Sequence, residues 1–192
     1  MRSWRHRTVV ADGRAVLLRR ATSGDEDRIQ NFVRALSWQS RYQRFFIPLR
    51  EVPAAMLTRL VQPDDTHGAA VLAFAASEGG DVVGFAQYDA MTEHEAEAAV
   101  IVDESWRRVG LARQLLLDLA VIAEAADIAR VHADILRDNA AALRLAREVG
   151  CLVDPHPGDP HAVHVTRLLE RGDWNAGATP STPSAGDRPL SA

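Results

Sequence analysis

The chain has 192 residues, 47% of them apolar, and a formal net charge of −4. That fits one globular domain with a sizeable core and argues against generic nucleic-acid affinity. No apolar run approaches the ~20 residues of a membrane span, and a lone cysteine, Cys151, leaves no intrachain disulfide or thiolate metal cluster, so the cytoplasm is the expected compartment.

Residues 1–13 read as a loose lead-in whose "TVV" is too short for a signal-peptide core, and "RAVLLRRA" (14–21) reads as a strand. Ser23-Gly24-Asp25 offers cap chemistry for a helix to about Leu36. "SWQSRYQRFF" (37–46) predicts a second, shorter helix, and Pro53 opens a third where its missing N–H costs nothing. "HGAAVLAFAAS" and "DVVGFAQYDA" flank Glu78-Gly79-Gly80, a hairpin signal, and "EAEAAVIVD" (95–103) follows as a further strand. The period then changes. Leu111, Leu115, Leu119, Ile122 and Ala126 recur at helical spacing, so a long helix begins near Gly110. "ARVHADIL" (129–136) reads as a buried strand; Asp138 or Asn139 caps "NAAALRLAREV", and Gly150 ends that helix as its C′ residue. "CLVD" and "HAVHVTRLL" close the sheet around the turn-rich "PHPGDP". From Gly172 onward Pro, Gly, Ser and Thr dominate, and residues 172–192 read as a disordered tail.

This order describes an α/β domain over 14–171, mostly antiparallel in its first half, with a strand–helix–strand crossover in its second. At the crossover, strand 95–103 runs into Arg107, Arg108 and Gly110 and then into the long helix. The first residues of any helix leave backbone N–H groups unpaired, and their aligned dipoles favour an anion. Gly110 lets the backbone approach a bulky pyrophosphate, and the two arginines add donors and charge. A phosphate-bearing cofactor suits this turn; the alternative is an ordinary glycine turn among solvated arginines.

"Arg107-x-x-Gly110-x-Ala112" resembles the Q/R-x-x-G-x-G/A signature of the GCN5-related N-acetyltransferases (GNAT), whose turn holds the pyrophosphate of acetyl-CoA. "Asn139-x-x-Ala142-x-x-Leu145-Ala146-x-x-x-Gly150" is similar to the family's second cofactor-contacting helix, and the likeness covers roughly residues 13–170. "DGRAVLLRRAT", "SRYQRFF" and "EAEAAVIVDESWRRVGLA" further resemble bacterial protein lysine acetyltransferase domains. The resemblance implies the GNAT fold, a mixed, mostly antiparallel twisted sheet flanked by helices. It implies acetyl-CoA as co-substrate, lying along Val100, Ile101 and Val102 and over Arg107, Arg108, Val109, Gly110, Leu111 and Ala112, with Asn139 as a further contact or a helix cap. An acceptor protein such as an acyl-CoA synthetase is the implied partner, a small amine the runner-up, and a regulatory acyl-CoA-binding module without turnover a third reading.

Amine acetylation requires a deprotonated amine, a polarised thioester carbonyl and a departing thiolate. The first task suits a carboxylate near the receiving strand. Alternation puts Glu95, Glu97, Ala99 and Ile101 on one face, and Glu97 lies inside the strand rather than in the turn before it. By the resemblance Glu97 falls where the lysine acetyltransferases carry their general base; Glu95 and His94 are the alternatives. A backbone N–H at Ile101 or Val102 suits the carbonyl. Where many family members place a tyrosine acid this chain has Ala146, as the lysine-acetyltransferase type does, and a thiolate leaves tolerably near neutral pH. Tyr42 and Arg44 either line the acceptor cleft or pack their helix. Trp106 covers the start of the long helix, and Cys151 packs in the core. His156, His161 and His164 lack the further ligands of a metal set, so no metal is expected. All 22 basic residues are arginine, so the chain has no lysine side chain to acetylate.

Overall fold

Eight strands form one sheet in the computed structural model, which describes residues 5–9, 13–61, 67–75 and 80–169. They are β1 (Arg5–Val9), β2 (Ala15–Arg20), β3 (Gly68–Ala75), β4 (Val82–Ala90), β5 (Glu95–Val102), β6 (Arg130–Leu136), β7 (Leu152–Pro155) and β8 (Ala162–Leu168). The spatial order is β1-β2-β3-β4-β5-β6-β8-β7, and only the β5–β6 pair is parallel. The expected α/β class and antiparallel first half hold. One reading changes: the lead-in contains β1, which pairs antiparallel with β2 from Arg5↔Arg19 to Val9↔Ala15. The tail 172–192 and the Glu78-Gly79 part of the hairpin turn lie outside the described residues.

The helices are α1 (Glu26–Ala35), α2 (Trp38–Phe45), α3 (Ala54–Val61), α4 (Leu111–Ala125) and α5 (Ala140–Glu148). Asp25 precedes α1 but makes no side-chain cap. Its carboxylate instead accepts both guanidinium bonds of Arg19 at 2.7 Å and the Thr22 N–H at 2.8 Å. Burial opposes the charge on Asp25, but these bonds outweigh it and hold the carboxyl below its ordinary range. By contrast Ser37 caps α2, accepting from the Ser40 N–H, and Gly150 follows α5 at φ 80°, the left-handed C′ position expected of it.

The leucine stripe of α4 decides how the sheet is covered. Leu111, Leu115 and Leu119 pack on Val16, Leu18, Val71 and Ala96, and each such burial is worth ~1.5–3 kcal/mol. Gly84 makes this close approach possible, since a Cβ there would sit 3.3 Å from Leu115 Cδ1 and 3.0 Å from the Ile101 carbonyl. On the opposite face α1 and α3 bury Ile29, Phe32, Leu57 and Leu60 against Leu72, Phe74, Phe85 and Ile101. Beneath α5 a smaller core gathers Ala146, Val163 and Val165.

For the site, the decisive feature is where pairing stops. The parallel ladder joins Glu95↔Arg130, Ala96↔Val131 and Glu97↔His132 and goes no further. Beyond it a seam opens between β5 and β6.

Candidate active site

A cavity of about 420 Å³ occupies that seam. Ala98, Ala99 and Val100 of β5 form one wall and Ala133 to Ile135 of β6 the other, with Leu116 and Ala120 of α4, Ala146 of α5 and the α5 cap Asn139 toward one face of the sheet. Glu97, Arg44 and Phe45 lie at the other face. The cavity thus runs through the sheet from the α4–α5 side to the α2 side.

The expected anion turn takes shape at the N-terminus of α4, outside the residues that line the cavity. Gly110 is the N-cap of α4 at φ 84° and supplies no side-chain cap, so the first-turn N–H groups of a 15-residue helix lack a partner from the cap residue. Nothing lies within 4 Å of where a Gly110 Cβ would be. Glycine is favoured here by the backbone conformation, and a side chain would project into the open space beside the helix terminus. Arg108 is also left-handed, at φ 62°, and exposed. Leu111 is buried, and Val109 and Ala112 pack against the α4 core, so they offer backbone rather than side chain.

On β5 the backbone separates the two expected donors. The Asp103 N–H donates to the Val83 carbonyl on β4 at 2.9 Å. Since N–H groups alternate sides along a strand, that of Ile101 also turns toward β4, whereas those of Val102, Val100 and Ala98 face the seam. The Ile101 side chain is buried in the α1–α3 core. Val100 lines the cavity, and Val102 packs beneath α4.

Glu97 reaches the seam from inside the strand, as alternation predicts, with its side chain exposed to the cavity. The two alternatives are engaged elsewhere: Glu95 pairs with Arg130 at 2.7 Å, and His94 Nδ1 lies 3.0 Å from the Asp127 carbonyl. Directly across β4, Asp89 is the register partner of Glu97. Its carboxylate accepts from Gln87 Nε2 at 2.7 Å, and Gln87 Oε1 accepts from Arg44 at 2.7 Å. Burial brings the Arg44 guanidinium down to about 10, with the Asp89 and Glu97 carboxylates pulling the other way, so the group keeps its charge at neutral pH.

Residues 32–151, more than half of the chain, match the Acetyltransferase (GNAT) family. This chain belongs to the GNAT acetyltransferase family, a family of acyltransferases. It is similar to acetyltransferase PA5475 of Pseudomonas aeruginosa, 28% identical over 142 residues covering 73% of this chain and 74% of that one. Its fold matches the GNAT domain of S. lividans PAT at TM-score 0.79 and 24% identity, over 88% of this chain and 99% of that one. It also matches yncA of Salmonella typhimurium, a putative acetyltransferase solved with acetyl-CoA, at TM-score 0.64 and 18% identity, over 89% and 99% of the two chains.

Within this GNAT chain the signature arginine does something the sequence does not announce. Arg107 donates to Ser40 Oγ on α2 at 2.6 Å and lies 3.5 Å from the Glu104 carboxylate. Glu104 precedes the turn in a short 3₁₀ segment, Glu104–Trp106, and accepts from the Ser37 hydroxyl at 2.7 Å and from the Ser40 hydroxyl. Burial raises the Glu104 pKa, but the Ser40 and Ser37 hydrogen bonds outweigh it and bring it down to about 2. The Arg107 side chain therefore fastens α2 to the turn instead of pointing over it. The "SRYQRFF" element spans both ends of the site, with Ser40 at the turn and Arg44 at the cleft.

The remaining expectations divide. Asn139 caps α5, accepting from the Ala142 N–H at 3.1 Å, and also lines the cavity. Arg44 lines the cleft, whereas Tyr42 sits on the outer side of α2. Trp106 packs against the α4 core, with Arg14 4.0 Å over its ring. Cys151 is half-buried beside the α5 core, and burial pushes its thiol up despite Arg167 nearby. Of the three noted histidines, His156 and His164 meet at Asp134, joined by His132, while His161 stays apart and exposed. Among the described residues no such group has the makings of a metal site, and no helix is long and apolar enough to cross a membrane.

Proposed function

We propose that this protein is an acetyl-CoA-dependent N-acetyltransferase that transfers the acetyl group directly to an amine, with a lysine of a folded protein as preferred acceptor. The observation that carries the reading is the path of β5. That one strand carries the interior carboxylate Glu97 into the cavity and leads, past its C-terminal end, into the uncapped, glycine-opened terminus of α4. A pyrophosphate fits the helix terminus, and a basic amine fits the carboxylate. When bound, acetyl-CoA supplies an acetyl group activated as a thioester. Glu97 takes a proton from the acceptor ammonium, and the N–H groups of Val100 and Val102 face the seam where a carbonyl oxygen would gain charge. Ala146 leaves no side-chain acid at that position, which a thiolate leaving group tolerates.

A protein acceptor is favoured by α2 and the residues just after it, where Trp38 (72% exposed), Tyr42 and Ile47 stand in solvent. Such aromatic and apolar groups gain from burial under a partner. The resemblance of "SRYQRFF" and Ala146 to the lysine-acetyltransferase type points the same way, toward partners such as acyl-CoA synthetases. One observation supports the small-amine reading. Asp89 and Glu97 share a smaller cavity of about 220 Å³ with Met56 and Arg59, and two carboxylates suit a diamine.

Labelled acetyl-CoA, a lysate of the native host and mapping of the labelled lysines test the choice. The expected result is one partner protein labelled much faster than a short peptide around the same lysine. Rapid acetylation of a free polyamine without any protein acceptor would promote the second reading. Tight acetyl-CoA binding without product from any acceptor would leave only a regulatory binding module.

A further inference from the structure

Acetyl transfer to an ammonium forms an N–C bond, breaks a C–S bond and strips two protons from nitrogen. The departing sulfur can take up one. The other must leave the site, and a protein acceptor docked over the cleft closes the direct way out. Glu97 therefore needs a neighbour able to take the proton from it, and the strand beside it supplies one.

His132 is the register partner of Glu97 across the parallel β5–β6 ladder, on strands about 4.8 Å apart, and it lines the same cavity. Behind it runs a chain of rings and a carboxylate on β8, β6 and the β7–β8 turn. With the three imidazoles neutral, its hydrogen bonds assign each tautomer, starting from one backbone contact. Gly158 N–H donates to His156 Nδ1 at 3.1 Å, so neutral His156 carries its proton on Nε2, 3.3 Å from Asp134 Oδ2. The other Asp134 oxygen lies 2.7 Å from His164 Nδ1, which therefore donates to it. His164 Nε2 is then an acceptor, and the ring nitrogen 3.2 Å away, His132 Nδ1, is the donor. That leaves His132 Nε2 with a bare lone pair, 3.7 Å from a Glu95 carboxylate oxygen.

A lone pair facing a carboxylate is an arrangement that improves on gaining a proton. We infer that His132 receives, at Nε2, the proton that Glu97 takes from the acceptor, and holds it as an imidazolium until the product leaves. The inference rests on the proposed acetylation of a lysine on a docked protein. His132 acts through Glu97. Glu95 faces the new charge from β5, and Arg130 tempers that carboxylate from β6 at 2.7 Å. On the far side His164 and Asp134 stabilise it, with Thr166 Oγ1 3.3 Å from Nδ1 and Asp154 on β7 in register with His164. Imidazole suits the role because it exchanges protons near neutral pH.

Two measurements test this. A long-range proton–nitrogen spectrum of the wild-type imidazoles, without acetyl-CoA, should show His132 protonated on Nδ1 and His164 on Nδ1; the opposite tautomer at His132 overturns the inference. In kinetics, His132→Gln should bind acetyl-CoA normally but lose turnover on the order of tenfold at pH 7, less than loss of a direct general base. That loss should shrink as pH rises and on adding free imidazole. An unchanged pH profile, or a loss that imidazole does not restore, overturns the inference. If Glu97→Gln abolishes transfer while His132→Gln behaves as wild type, the proposed function stands and this inference falls. If the wild-type protein acetylates no amine, both fall. Should His132→Gln not fold, the wild-type spectrum alone decides.

Discussion

Between β2 and β5 the sheet is sandwiched, with α4 on one face and α1 and α3 on the other, whereas β6, β8 and β7 carry α5 on one face and set His132, Asp134, His164 and Thr166 on the other. Their strands differ accordingly. β3 reads "GAAVLAFA" and is buried along most of its length, while β6 and β8 alternate apolar and polar residues. The first half is a scaffold whose two cores fix α2 and the α4 turn. The second can hold titratable groups because one face is not spent on packing. The seam lies where the two meet, and both contribute to it.

If the division is real, substitutions in the two halves should have unequal consequences. Phe85 is fully buried, with Phe32 edge-on at 5.8 Å. Phe85→Ala should cost about 3–5 kcal/mol in a denaturant titration. Gly110→Ala, at the boundary, should cost about 1–2 kcal/mol because φ 84° is left-handed, and should weaken acetyl-CoA binding in calorimetry. Gly24→Ala, on an open turn with no such φ, should change neither.

Glu104→Gln tests whether α2 is fastened to the turn by charge. The Glu104 pKa falls to about 2 from an ordinary 4.5, so its stabilisation is fully present above about 4.5 and is lost as pH falls toward 2. The variant should melt a few degrees below wild type at pH 7, a difference under about 1 kcal/mol for a partly exposed pair. That gap should close between pH 4.5 and 2. A gap that widened in acid would contradict the fastening. The smallest effect belongs to the open face: Leu152→Ala on β7, at a side chain 71% exposed, should stay within about 0.5 kcal/mol.

What could be read beforehand follows the same division. The leucine spacing located α4, the turn chemistry located Gly110 and Gly150, and period-two alternation turned Glu97 toward the cleft, all from neighbours in sequence. β1 escaped because "RHRTV" offers no apolar alternation to read. The fastening of Ser40 to Arg107 joins residues 67 positions apart, beyond the reach of any local pattern. The sequence leaves Ile101 and Val102 open as backbone donors because the direction of a strand N–H depends on which neighbour it pairs with. Arg130, His132 and Asp134 alternate along β6 and do carry a signal, but the ring that His132 and Asp134 meet, His164, lies 32 and 30 positions further on.

The central claim is that the amine loses its proton to Glu97 in the seam, and Glu97→Gln tests it most directly. Acetyl-CoA binding and steady-state turnover at pH 7 should be measured on the same preparation. The account predicts unchanged affinity and thermal midpoint, with turnover lowered on the order of a hundredfold or more. Turnover near the wild-type value with binding intact would contradict it.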